Sequence, residues 1–183
     1  MLMSAKVVKL ELNYNCEIHK WFRQQTHYIA PFQQESAEHF ARRLLAYLTL
    51  YELSPTLNQR PGIGKMPDLY LQDQQQHFTL WGVVDPLTDK SLRRALHQAD
   101  QVVLFLTEQQ ASKTSNLPAD ANADCYQFSS ADLARLIVML KPHMQLSVWR
   151  EQDKLSLTDG TQVLDIALRH QTQHSPLFRN LYF

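Results

Sequence analysis

The feature that most constrains this chain is the uninterrupted apolar run Val102-Val-Leu-Phe-Leu106. A strand apolar at every position must be covered on both faces, and that pattern belongs mostly to parallel pairing. What precedes the run supplies such a pairing. Residues 77–84 read as a strand. Thr88 is a good helix N-cap with Asp89 in the first turn, where the helix dipole favours a carboxylate. Leu92, Leu96 and Ala99 then repeat at helical spacing over 89–99. Strand 77–84, helix 89–99 and strand 102–106 thus form a βαβ unit, with the two strands expected as neighbours in one sheet.

The remaining segments extend this α/β (α+β) reading. Residues 5–12 alternate as a strand, Asn13-Tyr14-Asn15 reads as a turn, and a second strand is expected within 16–29. Residues 35–53 are the clearest helix, with Phe40, Leu44, Leu48 and Tyr51 on one stripe and Ser54-Pro55 as its stop. A Pro- and Gly-rich loop at 60–65 leads to a hairpin of strands 68–72 and 77–84, turning at 74–76. The last third reads as a strand at 124–128, a helix over 130–140 and a strand over 144–149. The helix buries Leu133, Leu136, Ile137 and Leu140; the strand turns Met144, Leu146 and Val148 inward. Two short strands then flank the Asp159-Gly160 turn.

The 183 residues suit one well-buried core, placed at 1–175, followed by an apolar tail at 176–183. Five large side chains in that tail, from Leu177 to Phe183, are expected to dock on the chain itself, a second copy or a partner. Lys plus Arg equals Asp plus Glu at 18 each. Tight nonspecific nucleic-acid binding draws its affinity from a basic excess, so this balance argues against it. The acidic side chains concentrate over 67–124, which makes the middle third the place to look for a hard-cation site. Cys16 and Cys125 are far apart and form neither a disulfide framework nor a zinc pattern. With no signal peptide and no apolar run long enough to span a bilayer, a cytoplasmic protein is expected.

Three local patterns resemble the YaeQ family, bacterial proteins of the PD-(D/E)XK nuclease-like superfamily. The first is Arg43-Leu-Leu-Ala-Tyr47, preceded by Glu35. The second is Met66-Pro-Asp-Leu-Tyr70, similar to the family's Glu-Pro-Asp-x-Trp. The third is Leu80 to Ala95, followed by Val102 to Leu106, similar to the Leu-Trp-Ile-Glu-Val-Gly stretch and the basic helix start after it. The resemblance is strongest over residues 30–106. It implies a restriction-endonuclease-like mixed sheet flanked by helices, here with added β-hairpins at both ends. It also implies a site in which two acids hold Mg²⁺ and a Lys orients water.

Residue by residue, Glu35 matches the family's helix acid and Asp68 its first core acid. The second core acid falls on Val83, which has no ligand atom, and the basic residue on the next helix falls on Arg94. Arg remains protonated and cannot act as a base, though it can bind phosphate. On a helical wheel Arg94 lies about 200° from Leu92, on the outward side. Asp85, two residues beyond Val83, points to the same strand face and is the alternative acid, with Lys90 as its basic partner. Each residue also has an ordinary reading. Glu35 heads a helix, Asp68 sits at a strand start, Asp85-Pro86 ends a strand, and Arg93-Arg94 makes a solvated face.

The expectation is a degenerate site, non-catalytic or nearly inactive, in a protein that binds nucleic acid or a protein partner and needs no cofactor. The alternative is a Mg²⁺-dependent nuclease using Asp85.

Overall fold

The computed structural model of the chain describes residues 2, 3, 6–62, 64–113 and 122–172, without the side chains of 113 and 170–172. The tail at 176–183 lies outside them. The chain divides into two compact units, residues 1–45 with 128–168 and residues 46–127 with 169–183.

The first unit is built on a five-stranded sheet with the order β10-β9-β8-β1-β2. These strands are β1 (Val8–Cys16), β2 (Trp21–Ile29), β8 (His143–Arg150), β9 (Lys154–Thr158) and β10 (Val163–Ala167). Antiparallel β2 lies on one side of β1 and parallel β8 on the other. Strict alternation sets the faces. Val8, Leu10, Leu12, Tyr14 and Cys16 are buried, as are Met144, Leu146 and Val148. The turn expected at 13–15 is absent, because the inward period continues through Tyr14 to Cys16. The chain reverses at residues 17–20 instead, where Lys20 takes a left-handed φ of 53°. Asn13 and Asn15 are turn formers by local preference, but on the polar face of a long alternating strand they meet no penalty that would break it.

The helix α4 (Ser130–Met139) also belongs to this unit, and the Ser129 hydroxyl caps it by accepting the Asp132 N–H at 3.0 Å. It buries Leu133, Leu136 and Met139. Met139 takes the place expected for Leu140, because the helix ends one residue earlier, and Ile137 is only half-buried.

The second unit carries a six-stranded sheet with the order β11-β7-β6-β5-β4-β3. Its strands are β3 (Thr56–Leu57), β4 (Leu69–Gln72), β5 (Phe78–Val83), β6 (Val102–Thr107), β7 (Ala123–Phe128) and β11 (Arg169–Thr172). β5 and β6 pair in parallel, with α2 (Asp89–Gln98) between them in sequence. Every residue of β6 is buried. On one side of this sheet Trp81, Val83, Val102 and Leu104 pack with Leu92, Ala95 and Ala99 of α2. The expected βαβ unit is therefore present, and Thr88 caps its helix by accepting the Ser91 N–H at 3.3 Å.

The hairpins at the two ends do not extend this sheet; they join β8 in the sheet of the first unit. The short strands β3 and β11 and the helix α3 (Glu108–Lys113) have no counterpart in the sequence reading. The long helix α1 (Ala37–Thr49) starts in the first unit and ends in the second, and a 3₁₀ turn at Tyr51–Leu53 follows it. The single helix expected over 35–53 is shorter at both ends.

Gly82 is required by packing. A Cβ at this position would come within 2.8 Å of the Leu69 side chain and 3.1 Å of the Leu69 carbonyl oxygen, and Leu69 is fully buried. Gly82→Ala is expected to cost about 1–3 kcal/mol through overpacking, read as a lower urea midpoint at unchanged slope. A wild-type midpoint would show that β4 shifts freely.

Candidate functional site

Asp68 is placed by backbone bonds just ahead of Leu69. Its N–H donates to the Gly82 carbonyl at 2.8 Å, and its carbonyl accepts the Asn58 N–H at 2.8 Å. The register itself ends where Leu69 pairs with that same Gly82, so Asp68 sits as at a β-bulge. The Asp68 Oδ2 accepts the Val84 N–H at 2.9 Å. The carboxylate is thus fixed at the carboxyl end of β5, only 8% exposed.

There it lines a cleft of about 250 Å³ with Val83, Asp85, Thr88, Ser91 and Met66 among its neighbours. The structure brings together three of the residues singled out from sequence: Asp68, Val83 and Asp85. Asp85 is exposed at the rim. Val83 is almost fully buried and brings only an apolar side chain to the cleft that Asp68 lines. Lys90 is exposed in the first turn of α2, outside the cleft lining. Arg94, expected on the outward side of α2, is half-buried there, while Arg93 is exposed.

Glu35 belongs to the first unit and has a different setting. Ser36, not Glu35, caps α1, its hydroxyl accepting the His39 N–H at 3.1 Å. The Glu35 carboxylate is instead turned inward. It accepts from Arg43 Nη1 at 2.9 and 3.1 Å and from the Phe32 N–H at 2.9 Å, and it contacts His39 Nδ1. The Arg43 guanidinium lies 3.7 Å from the centroid of the Phe32 ring. Burial works to raise the Glu35 pKa, but His39, the Arg43 charge and the Phe32 N–H outweigh it and hold the carboxyl below its ordinary value. Arg43 and His39 were not singled out as partners from sequence. The signal was there, since residues 35, 39 and 43 recur on one helical stripe.

Cys125 is buried, and burial with the neighbouring Asp124 charge pushes its thiol up to about 11, so it is an inert side chain. Among the described residues no group of three or more His, Cys, Asp or Glu side chains is placed to hold a metal ion. None of the described helices is long and apolar enough to cross a membrane.

Together these features define a mixed α/β protein with a small acidic cleft at the carboxyl end of a parallel strand pair. The family model for the YaeQ protein matches residues 1–168, and the chain belongs to the YaeQ family. The fold is similar to the crystal structure of the YaeQ protein from Xanthomonas axonopodis pv. citri. There the identity is 16% and the TM-score 0.81, over 92% of this chain and 99% of that one. It is also similar to the crystal structure of the YaeQ protein from Pseudomonas syringae, at 18% identity and a TM-score of 0.80, over 92% of this chain and 96% of that one. No curated protein matches the chain.

Proposed function

We propose that the Asp68 cleft is the remnant of a PD-(D/E)XK-type metal site, and that the protein acts by binding nucleic acid or a protein partner rather than by cleavage. The observation that carries this reading is the lining of the cleft. Val83 shares it with Asp68 and brings no ligand atom, where a second carboxylate would be needed. A Mg²⁺ ion, which the superfamily resemblance implies, does not fit the residues present. One core acid remains at the cleft, its partner position is apolar, and Glu35 is held by Arg43, the Phe32 N–H and His39.

Nucleic acid is the binding partner to test first. With balanced charge, binding is expected to be weak, with a Kd no tighter than ~10 µM at physiological salt. Arg93 and Arg94 are the basic pair on α2, and the double variant Arg93→Ala/Arg94→Ala is expected to reduce the salt slope by about two. Fluorescence anisotropy on single- and double-stranded oligonucleotides over a salt series checks this. An unchanged slope would move the reading to a protein partner. Asp85 lines the same cleft, so the alternative with a relocated acid is decided by the Asp85→Ala cleavage assay described below.

A further inference from the structure

The polar face of the five-stranded sheet holds a groove of about 610 Å³. Register fixes which residues accompany it on this face, because directly paired residues share a face. At one end Phe22, Asn15 and Trp149 form a row across β2, β1 and β8. At the other end Tyr28, Lys9 and His143 form another. Between them run two polar rows, Gln24-Asn13-Ser147-Thr158 and Thr26-Glu11-Gln145. The end rows are six residues apart along β2, or roughly 20 Å of strand. The three aromatic side chains are open to solvent, with Phe22 62%, Tyr28 70% and Trp149 37% exposed.

Charge on this face is neutralised in pairs. Lys9 Nζ lies 2.5 Å from Glu11 Oε1, and His143 Nε2 lies 3.0 Å from the same oxygen. Lys141 Nζ lies 3.5 Å from Asp159 Oδ2 at the groove wall. Hydrogen bonds from Lys9, Gln145 and His143 hold Glu11 down to about 2, so its carboxylate stays ionised at any ordinary pH. A polyanion entering the groove meets Glu11 and Asp159, with Lys9 and Lys141 already committed to them. The lining offers amides and hydroxyls, and the same face carries exposed rings in the rows beyond it, which suit an uncharged ligand carrying many hydroxyls and flat C–H faces.

We infer that this sheet face is a binding site for a neutral oligosaccharide, which stacks on Trp149, Phe22 and Tyr28 and hydrogen-bonds to Asn13, Gln24 and Gln145. The site lies wholly in the first unit and is independent of the Asp68 cleft.

The test is calorimetric titration of the full chain with neutral hexasaccharides of glucose (β-1,4 and α-1,4), N-acetylglucosamine and mannose. At least one is expected to bind with a Kd between about 10 µM and 1 mM. Trp149→Ala and Phe22→Ala, both at exposed positions, are each expected to weaken it about tenfold, and Asn13→Asp to weaken it as well. Gln98→Ala, exposed in the second unit, is expected to leave it unchanged. Circular dichroism spectra matching wild type establish that the variants are folded. Four results would overturn the inference. They are no heat from any hexasaccharide at about 5 mM, binding indifferent to the Trp149→Ala/Phe22→Ala pair, salt-sensitive binding of oligothymidylate in their place, and self-association through this face that Trp149→Ala abolishes.

Discussion

Replacing Arg43 by alanine is expected to lower the folding free energy by about 3–5 kcal/mol, among the largest losses any single side chain here can cause. Both members of the Glu35–Arg43 pair are about 1% exposed at their side chains. Removing the guanidinium leaves a buried carboxylate that His39 and one backbone N–H cannot compensate, and the face of Phe32 loses its cation. The double variant Glu35→Leu/Arg43→Met is expected to recover most of the loss, because a pair replaced by apolar side chains leaves no unpaired charge.

The pH dependence follows from the direction of the Glu35 shift. Its folded-state pKa lies below the ordinary value of 4.5. The stability it contributes is therefore fully present above about pH 4.5 and is lost as pH falls through the folded value. Glu35→Gln is expected to flatten that acid limb. Urea denaturation from pH 3 to pH 7 reads both effects. An Arg43→Ala protein within about 1 kcal/mol of wild type would sink the account of this pair as a structural lock.

The second large effect concerns the cleft. The unmodified chain is expected to show no appreciable Mg²⁺- or Mn²⁺-dependent cleavage of DNA or RNA. Arg94 cannot take a proton from water, and losing a general base alone typically costs on the order of 10²–10⁴ in rate. Val83→Glu is expected to do two opposite things. Without metal it places a second carboxylate beside Asp68 in a nearly closed position, where like charge and desolvation both destabilise. With Mg²⁺ or Mn²⁺ at about 100 times its Kd, the variant is expected to regain roughly 2.7 kcal/mol through linkage.

The readout is the melting temperature with and without metal. Val83→Gln, which has the same shape but no charge, serves as the control expected to show no rescue. Val83→Glu without metal-dependent stabilisation would remove the case for a decayed metal site. Metal-dependent cleavage by the unmodified chain that disappears in Asp85→Ala would establish the relocated acid instead.

How much of this was legible in the sequence depends on which interactions decide each element. The βαβ unit was readable because its signals are local and mutually consistent: a capped helix at Thr88, a stripe at Leu92 and Ala99, and a run at 102–106 that is buried throughout. The hairpin around Asp159-Gly160 was readable for the same reason, with Gly160 at φ 85°. Elements fixed by distant partners were not. β11 exists because Arg169–Thr172 finds β7, and nothing within its four residues announces that pairing. The extension of β1 through Asn13–Asn15 was hidden by residue preferences that the β8 partner overrides.

At the candidate site, Asp68, Val83 and Asp85 were identified from motif position and strand parity. Parity anticipates Val83 with Asp85, whereas Asp68 joins them through the β4–β5 pairing that begins at Leu69. The true setting of Glu35 was missed because a carboxylate before a helix is locally satisfied by the dipole. Only the stripe of His39 and Arg43, eight residues deep into the chain beyond it, indicates a buried pair.

The parallel pairing of β1 with β8 has a consequence for how the chain is made. Residues 9–16 wait for residues 143–150, so the sheet of the first unit cannot close until residue 150 has left the ribosome. The stretch from β3 to β7, by contrast, emerges as one contiguous block. The nascent chain is thus expected to carry an alternating, half-apolar β1–β2 hairpin without its central partner until β8 is made. That interval, rather than the finished fold, is when its unpaired edge is open to aggregation.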